Sequence, residues 1–190
     1  MKTKRRLSTI LCALLCFCHS VQAQKTFHGD GPDDVLRLTP WVAVFGLKLC
    51  GVESRNDWPH LAAATAASGL FCVASTYGVK SLVDKERPDG TDNHSFPSGH
   101  ASICFAGAHV LYKEYAKTSP WIPIAGYAVA VATSVDRVCR NRHDWVDVAT
   151  GAALGVASAE LGYWLTGRIF PKSEALVAFS PNAVSLSVCF

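Results

Sequence analysis

Phe96-Pro97-Ser98-Gly99-His100 is the stretch whose reading decides the fold. Pro97 and Gly99 punctuate the backbone, Ser98 is a strong N-cap residue, and the apolar run from Ala101 to Tyr112 predicts a helix directly behind it. The first turn of such a helix presents N–H groups without intrahelical partners, together with the positive end of the helix dipole. Both suit an anion such as phosphate. His100 stands at the edge of that position.

Upstream, Asp89-Gly90-Thr91-Asp92-Asn93 is turn chemistry. Before it, the 19 residues between His60 and Lys80 carry no formal charge and are rich in Ala, Ser and Gly. They predict a helix long enough to approach a membrane span, ending before Pro88. A shorter apolar segment, Leu38 to Cys50, precedes it, interrupted by Pro40 and Lys48. Downstream, the helix from Gly99 to about Lys117 meets Ser119-Pro120, a helix start, and Trp121 to Val135 is the next apolar segment. After a cationic loop, Arg137 to Arg142, a last long helix runs from about Asp144 to Thr166, with Gly151, Gly155 and Ala159 on one close-packing face. The fold class is therefore all-α, an antiparallel helical bundle. In the tail, Val184, Leu186, Val188 and Phe190 alternate with Ser185, Ser187 and Cys189, the pattern of a lone strand or a frayed terminus.

The chain of 190 residues is long enough for one domain with a full core. Hydrophobic residues make up 49% against 17% charged, which leaves soluble and membrane classes both open. Residues 1–23 read as a signal peptide or a first membrane helix: Lys2, Lys4, Arg5 and Arg6, an apolar run from Leu7 to Cys18, then Val21-Gln22-Ala23. Residues 24–59 read as a linker, polar and glycine-rich to residue 34, with the short apolar helix; 60–170 as the core; and 171–190 as a tail. Without the first 23 residues Lys plus Arg falls from 18 to 14 while Asp plus Glu stays at 15, so the net charge of +3 becomes −1 and a nucleic-acid partner loses its support. Cys50, Cys72, Cys104, Cys139 and Cys189 form no C-x-x-C pair and read as small buried hydrophobes.

Three clusters remain: Lys80-x6-Arg87-Pro88, Pro97-Ser98-Gly99-His100, and Arg137-x5-His143-x3-Asp147. In an antiparallel bundle each falls at a helix end on the same side. Lys80, Arg87 and Arg137 would then surround a helix N-terminus, a way of holding a tetrahedral oxyanion. His143 and Asp147, at i and i+4, would face the same way, so that the carboxylate accepts the imidazole N–H and leaves the other nitrogen nucleophilic. His100 is then available as an acid. A two-His, one-Asp metal site is the rival reading, opposed by the repulsion three cations would exert on a divalent ion.

Together these clusters, across roughly residues 60 to 165, resemble the signature of the type 2 phosphatidic acid phosphatase superfamily. That family also includes bacterial acid phosphatases, lipid phosphatases and vanadium haloperoxidases, with a helical-bundle core. The resemblance implies that Lys80, Arg87 and Arg137 clamp a phosphate, with Ser98 and the Gly99 N–H adding hydrogen bonds. It implies that His143 attacks phosphorus, Asp147 orients it, and His100 protonates the leaving oxygen, with no metal and no cofactor. Where the family commonly has Ser before the clamp arginine, this chain has Asp136, expected to point outward toward Arg140 and Arg142. Those arginines and His94 are additional to the motif.

The run Asn93 to His100, with Leu111-Tyr112-Lys113-Glu114-Tyr115 and Ser119-Pro120-Trp121-Ile122-Pro123, is also similar to lipid phosphatases of Bacteroidetes-type bacteria, some of which act on the 4′-phosphate of lipid A. The expected partners are accordingly a lipid phosphate and a membrane, with no nucleic acid and no obligate protein partner. The expected location is the inner membrane with a periplasm-facing site; a soluble periplasmic acid phosphatase and an undecaprenyl-diphosphate phosphatase are the alternatives. Lys48 and Glu160, inside or near proposed spans, stand against the membrane placement.

Overall fold

The computed structural model describes residues 32–171, 174–180 and 183–189. The signal or first-helix reading of residues 1–23 lies outside them. Six helices follow in order: α1 (Pro32–Leu36), α2 (Thr39–Leu49), α3 (Trp58–Leu82), α4 (Gly99–Tyr115), α5 (Trp121–Cys139) and α6 (Trp145–Ile169). Helix α1 corrects the linker reading at its end, because Pro32 opens a helix where a linker to residue 34 was expected.

Helix α4 is the hub, packed against α2, α3, α5 and α6. Its buried side chains are mostly small: Ala101, Cys104, Ala106 and Ala108, with Val110, Leu111 and Tyr115 filling the far end beside Val44, Leu61 and Ala159. Small residues let backbones approach closely, and this is most evident along α6. A Cβ on Gly151 would lie 2.5 Å from the Ser98 carbonyl oxygen, and one on Gly155 would collide with that of Ser102. Two turns further on, Gly162 abuts the Ser68 backbone of α3. The glycine face read from sequence thus holds α6 against both α4 and α3. Helix α2 is fixed differently: Trp41 Nε1 donates to the Ile103 carbonyl of α4 at 2.9 Å.

The tail corrects its expectation. Residues 183–189 are not a lone strand but β2 (Ala183–Cys189), paired antiparallel with β1 (Glu174–Ser180) in register from Glu174↔Cys189 to Ser180↔Ala183. Cys50 is exposed rather than buried, whereas Cys72 and Cys104 are buried free thiols. Among the described residues two helices, α3 and α5, are long and apolar enough to cross a membrane.

Candidate active site

The chain between α3 and α4 is a tight excursion that carries charge to the rim. Lys85 N–H donates to Asn93 O at 3.0 Å, Arg87 N–H to Asp92 O at 2.9 Å, and Ser95 N–H back to Lys85 O at 3.0 Å. The turn between closes at Gly90, whose φ of +70° glycine adopts without strain. Arg87 is held by Asp92 Oδ1 at 2.7 Å through Nε. Lys80, in the last turn of α3, reaches up to the His94 carbonyl at 2.6 Å.

Ser98 caps α4 as expected, its side chain accepting from the Ala101 N–H, and its own N–H donates to the Asp147 carbonyl at 3.0 Å. That bond joins the second cluster to the third. Gly99 is the first residue of α4. Arg137 is buried in the last turn of α5, and the Arg142 N–H returns to its carbonyl at 3.0 Å. The three clusters therefore meet at one rim, as antiparallel packing requires.

One relation differs from the expectation. Asp144 caps α6 in a capping box, its side chain accepting from Asp147 N–H while the Asp147 carboxylate accepts the Asp144 N–H. Helix α6 therefore begins at Trp145, and His143 lies before it rather than on its face. His143 Nδ1 stands 3.7 Å from Asp147 Oδ2, beyond hydrogen-bond distance, and this buried atom has no hydrogen-bond partner. The fully buried Asp147 is instead occupied by Lys85 Nζ on Oδ1 at 2.7 Å, and by the Ser95 hydroxyl and Asp144 N–H on Oδ2. Lys85 also meets Asp144 Oδ2 at 2.5 Å.

The electrostatics follow from this placement. Burial first, then the positive charges of Arg137 and Arg87, hold His143 well below the usual histidine range; Asp147 opposes them and Lys80 adds to them. His143 is therefore a neutral imidazole among cations. Partial burial pulls Lys85 down, but Asp144 and Asp147 outweigh it and keep its ammonium above the ordinary value. The hydrogen bond from Lys85 is the main cause that holds Asp144 low.

Asp136 lies 3.7 Å from Arg140, but at 17% exposure its side chain is largely buried rather than pointing outward, and Arg142 is committed elsewhere, to Asp89 Oδ2 at 3.0 Å and Thr91 Oγ1 at 3.3 Å. His94 contributes its backbone to the rim, accepting from Lys80. Sequence reasoning missed Lys85 and Ser95, both flanking named motif residues, and it missed Asp34 and Arg37, which meet His100. Asp34 Oδ1 is 2.8 Å from His100 Nε2, and Arg37 Nη1 is 3.4 Å from the same atom.

Fold and site together define a helical-bundle protein whose helix ends assemble cations, a helix N-terminus and a buried histidine at one rim. The chain belongs to the PAP2 superfamily, which it matches over residues 6–171. It is 37% identical over 139 residues to the lipid A 1-phosphatase of Porphyromonas gingivalis, a match covering 73% of this chain and 31% of that relative. The chain spans less than half the length of the curated relatives it matches. Among solved structures it resembles Aquifex aeolicus LpxE, with a TM-score of 0.54, 15% identity, and coverage of 79% of this chain and 85% of that one. It also resembles the transmembrane PAP2 type phosphatidylglycerolphosphate phosphatase from Bacillus subtilis, with a TM-score of 0.50, 19% identity, and coverage of 84% and 89%. At these identities the two likenesses show the fold.

Proposed function

We propose that the chain is a metal-independent phosphatase that removes a phosphate from a lipid through a phosphohistidine on His143. The observation that carries this reading is the neutral, buried His143 beside Arg137, Arg87 and Lys80. A phosphate dianion brought among these cations gains charge-assisted hydrogen bonds, and the Ser98-capped start of α4, with the Gly99 N–H, adds donors.

In the first step His143 Nε2 forms a bond to phosphorus while the P–O bond to the lipid breaks, and the departing oxygen takes its proton from His100. His143 then carries positive charge, which the nearby Asp147 carboxylate stabilises. The 3.7 Å between Nδ1 and Asp147 has to close by about 0.8 Å for the hydrogen bond to form, a tightening common when a substrate completes a site. In the second step water attacks phosphorus, His100 takes its proton, the P–N bond breaks and inorganic phosphate leaves.

The lipid class is supported by the relative named for lipid A, by the two apolar helices, and by the aromatic residues left exposed toward the ends of α3, α5 and α6. Trp58, Trp121 and Trp164 lie toward the end of the bundle away from the site, and Tyr77 and Trp145 toward the site. Such bands suit the two faces of a bilayer. Four cations ahead of the first apolar run would keep the N-terminus in the cytoplasm and favour a periplasm-facing rim. The resemblance read from sequence pointed to the 4′-phosphate of lipid A, whereas the Porphyromonas gingivalis relative is named for the 1-phosphate; we place the substrate as lipid A or another lipid phosphate. The test is release of inorganic phosphate from purified lipid A phosphorylated at either position, undecaprenyl diphosphate, phosphatidate and the water-soluble p-nitrophenyl phosphate, with His143→Ala as control. Release confined to water-soluble phosphate esters would overturn the lipid assignment, and release by His143→Ala the chemistry.

A further inference from the structure

Helix α1 belongs to none of the three motifs, yet it delivers a carboxylate to the histidine read as the acid. Asp34 Oδ1 lies 2.8 Å from His100 Nε2, and both side chains are largely shielded, His100 at 15% exposure and Asp34 at 30%. Arg37 approaches the same nitrogen with Nη1 at 3.4 Å and Asp34 Oδ1 with Nη2 at 3.4 Å.

The two contacts to Nε2 cannot both be hydrogen bonds. A nitrogen that carries hydrogen donates to Asp34 and cannot accept from Arg37; a bare nitrogen would accept from Arg37 but set its lone pair against a carboxylate at 2.8 Å. The shorter contact decides it: Nε2 carries the hydrogen and donates to Asp34. Arg37 then serves the carboxylate, its Nη2 lying 3.4 Å from the same Oδ1.

We propose that Asp34 is a positioning residue for the acid of this reaction, fixing the orientation of the His100 ring through Nε2. The inference rests on the reading of His100 as general acid. A carboxylate bonded to one nitrogen fixes tautomer and ring orientation. Because Asp34 sits before α2, the acid is assembled only when the chain ahead of the bundle is docked on α4 and α5, against which α1 packs.

An acid matters in proportion to how poor the leaving group is. The experiment therefore compares hexyl phosphate, whose alkoxide needs the proton, with p-nitrophenyl phosphate, whose phenolate does not. The measure is the ratio of the two kcat/KM values on one preparation of the full chain, which reports the step in which the leaving group departs and not the later hydrolysis common to both substrates. A ratio taken on one sample is insensitive to the fraction correctly folded, so a variant that folds poorly still reports. Asp34→Asn should lower the alkyl-to-aryl ratio by about 10-fold, a share of the roughly 10²–10⁴ that general acid catalysis supplies, and Asp34→Glu should recover part of it. His100→Ala, measured alongside, should lower the ratio further. If His100→Ala lowers it and Asp34→Asn leaves it unchanged, Asp34 is structural and the inference falls alone. If His100→Ala leaves it unchanged, the acid is elsewhere, and both the reading of His100 and the inference fall.

Discussion

Lys85→Met is the perturbation that asks most of the site as described. Lys85 Nζ holds Asp147 Oδ1 at 2.7 Å, drawing the carboxylate toward the α3–α4 excursion while His143 Nδ1 waits at 3.7 Å on the other oxygen. Removing the ammonium frees Asp147 to close on His143. For unit charges at an effective dielectric of about 20, attraction is ~4.5 kcal/mol at the observed 3.7 Å. At a hydrogen-bond distance of ~2.9 Å it is ~5.7 kcal/mol. The difference of ~1.2 kcal/mol is just under one pKa unit, in favour of protonated His143. Loss of a nearby cation pushes the same way. In the proposed mechanism His143 attacks as a neutral imidazole, so a rise in its pKa moves the acid limb of the kcat/KM profile to higher pH. The wild-type limb, set by a histidine held low by burial, Arg137, Arg87 and Lys80 against Asp147, should lie below the ordinary value of ~6.5. Lys85→Met should raise it by roughly one unit, and Lys85→Arg should leave it in place. The assay is the pH dependence of kcat/KM on p-nitrophenyl phosphate in detergent. A limb that stays put in Lys85→Met, or moves to lower pH, would refute the role given to Lys85 in partitioning Asp147.

Wild-type enzyme quenched during turnover should carry acid-labile phosphate on His143, and His143→Ala should carry none and turn nothing over; near-wild-type turnover would sink the nucleophile. Activity should survive chelators and be blocked by vanadate, which fits a site built for a five-coordinate phosphoryl group; loss with a chelator, restored by zinc or magnesium, would revive the metal reading. Gly155→Val drives a side chain into the Ser102 backbone and should destabilise by ~1–3 kcal/mol, seen as a lowered thermal midpoint in detergent; an unchanged midpoint would mean α6 sits less tightly on α4 than described. A cysteine in the Asp89 to Asn93 turn should react with an impermeant thiol reagent in intact spheroplasts and one at Lys117 should not, with native cysteines replaced; reaction at both would mean a soluble bundle.

Much of this was legible because the features are local. An uncharged run, Pro97 and Gly99, and the Ser98 cap locate α3 and α4 without any tertiary information, and antiparallel succession then carries Lys80, Arg87, Arg137 and His143 to one rim. What was not legible depends on contacts across the fold. Lys85 reads as one more residue in the gap between Lys80 and Arg87, and only the folded chain puts it on Asp144 and Asp147, about 60 positions away. Asp34 meets His100 across 66 positions and lies in what reads as linker. The His143–Asp147 geometry was misread because i, i+4 spacing assumes a helix through both, whereas the Asp144 side chain caps the helix one residue after His143. In the tail, the alternation found β2, but its partner β1, Glu-Ala-Leu-Val-Ala-Phe-Ser, lacks strict alternation and was passed over.

The same distinction settles the objection that Lys48 and Glu160 raised against a membrane. A charge in a proposed span counts against it only while its partner is invisible, and sequence does not show partners. In the structure Glu160 is bound by Lys113 Nζ at 2.7 Å and by His109 Nε2 at 2.6 Å, the latter ring also meeting Tyr127 OH at 2.6 Å. Lys48 donates to Ser54 Oγ at 2.6 Å and to the Asn56 carbonyl, in the turn between α2 and α3. The fully buried Glu114 accepts from Asn56 Nδ2 at 2.6 Å and Tyr163 OH at 2.7 Å. All these groups lie on the half of the bundle away from the cationic rim, and Lys48, Glu114 and Glu160 are each met by an opposite charge or a polar neighbour, the condition under which ionisable residues persist in an apolar zone. Helix α3, 25 residues and so roughly 37 Å long, exceeds the ~30 Å of a hydrocarbon core, with Trp58 at one end and Tyr77 near the other. The polar cluster therefore favours the membrane reading, because it places the charges of the bundle near one interface and leaves the cationic rim at the other.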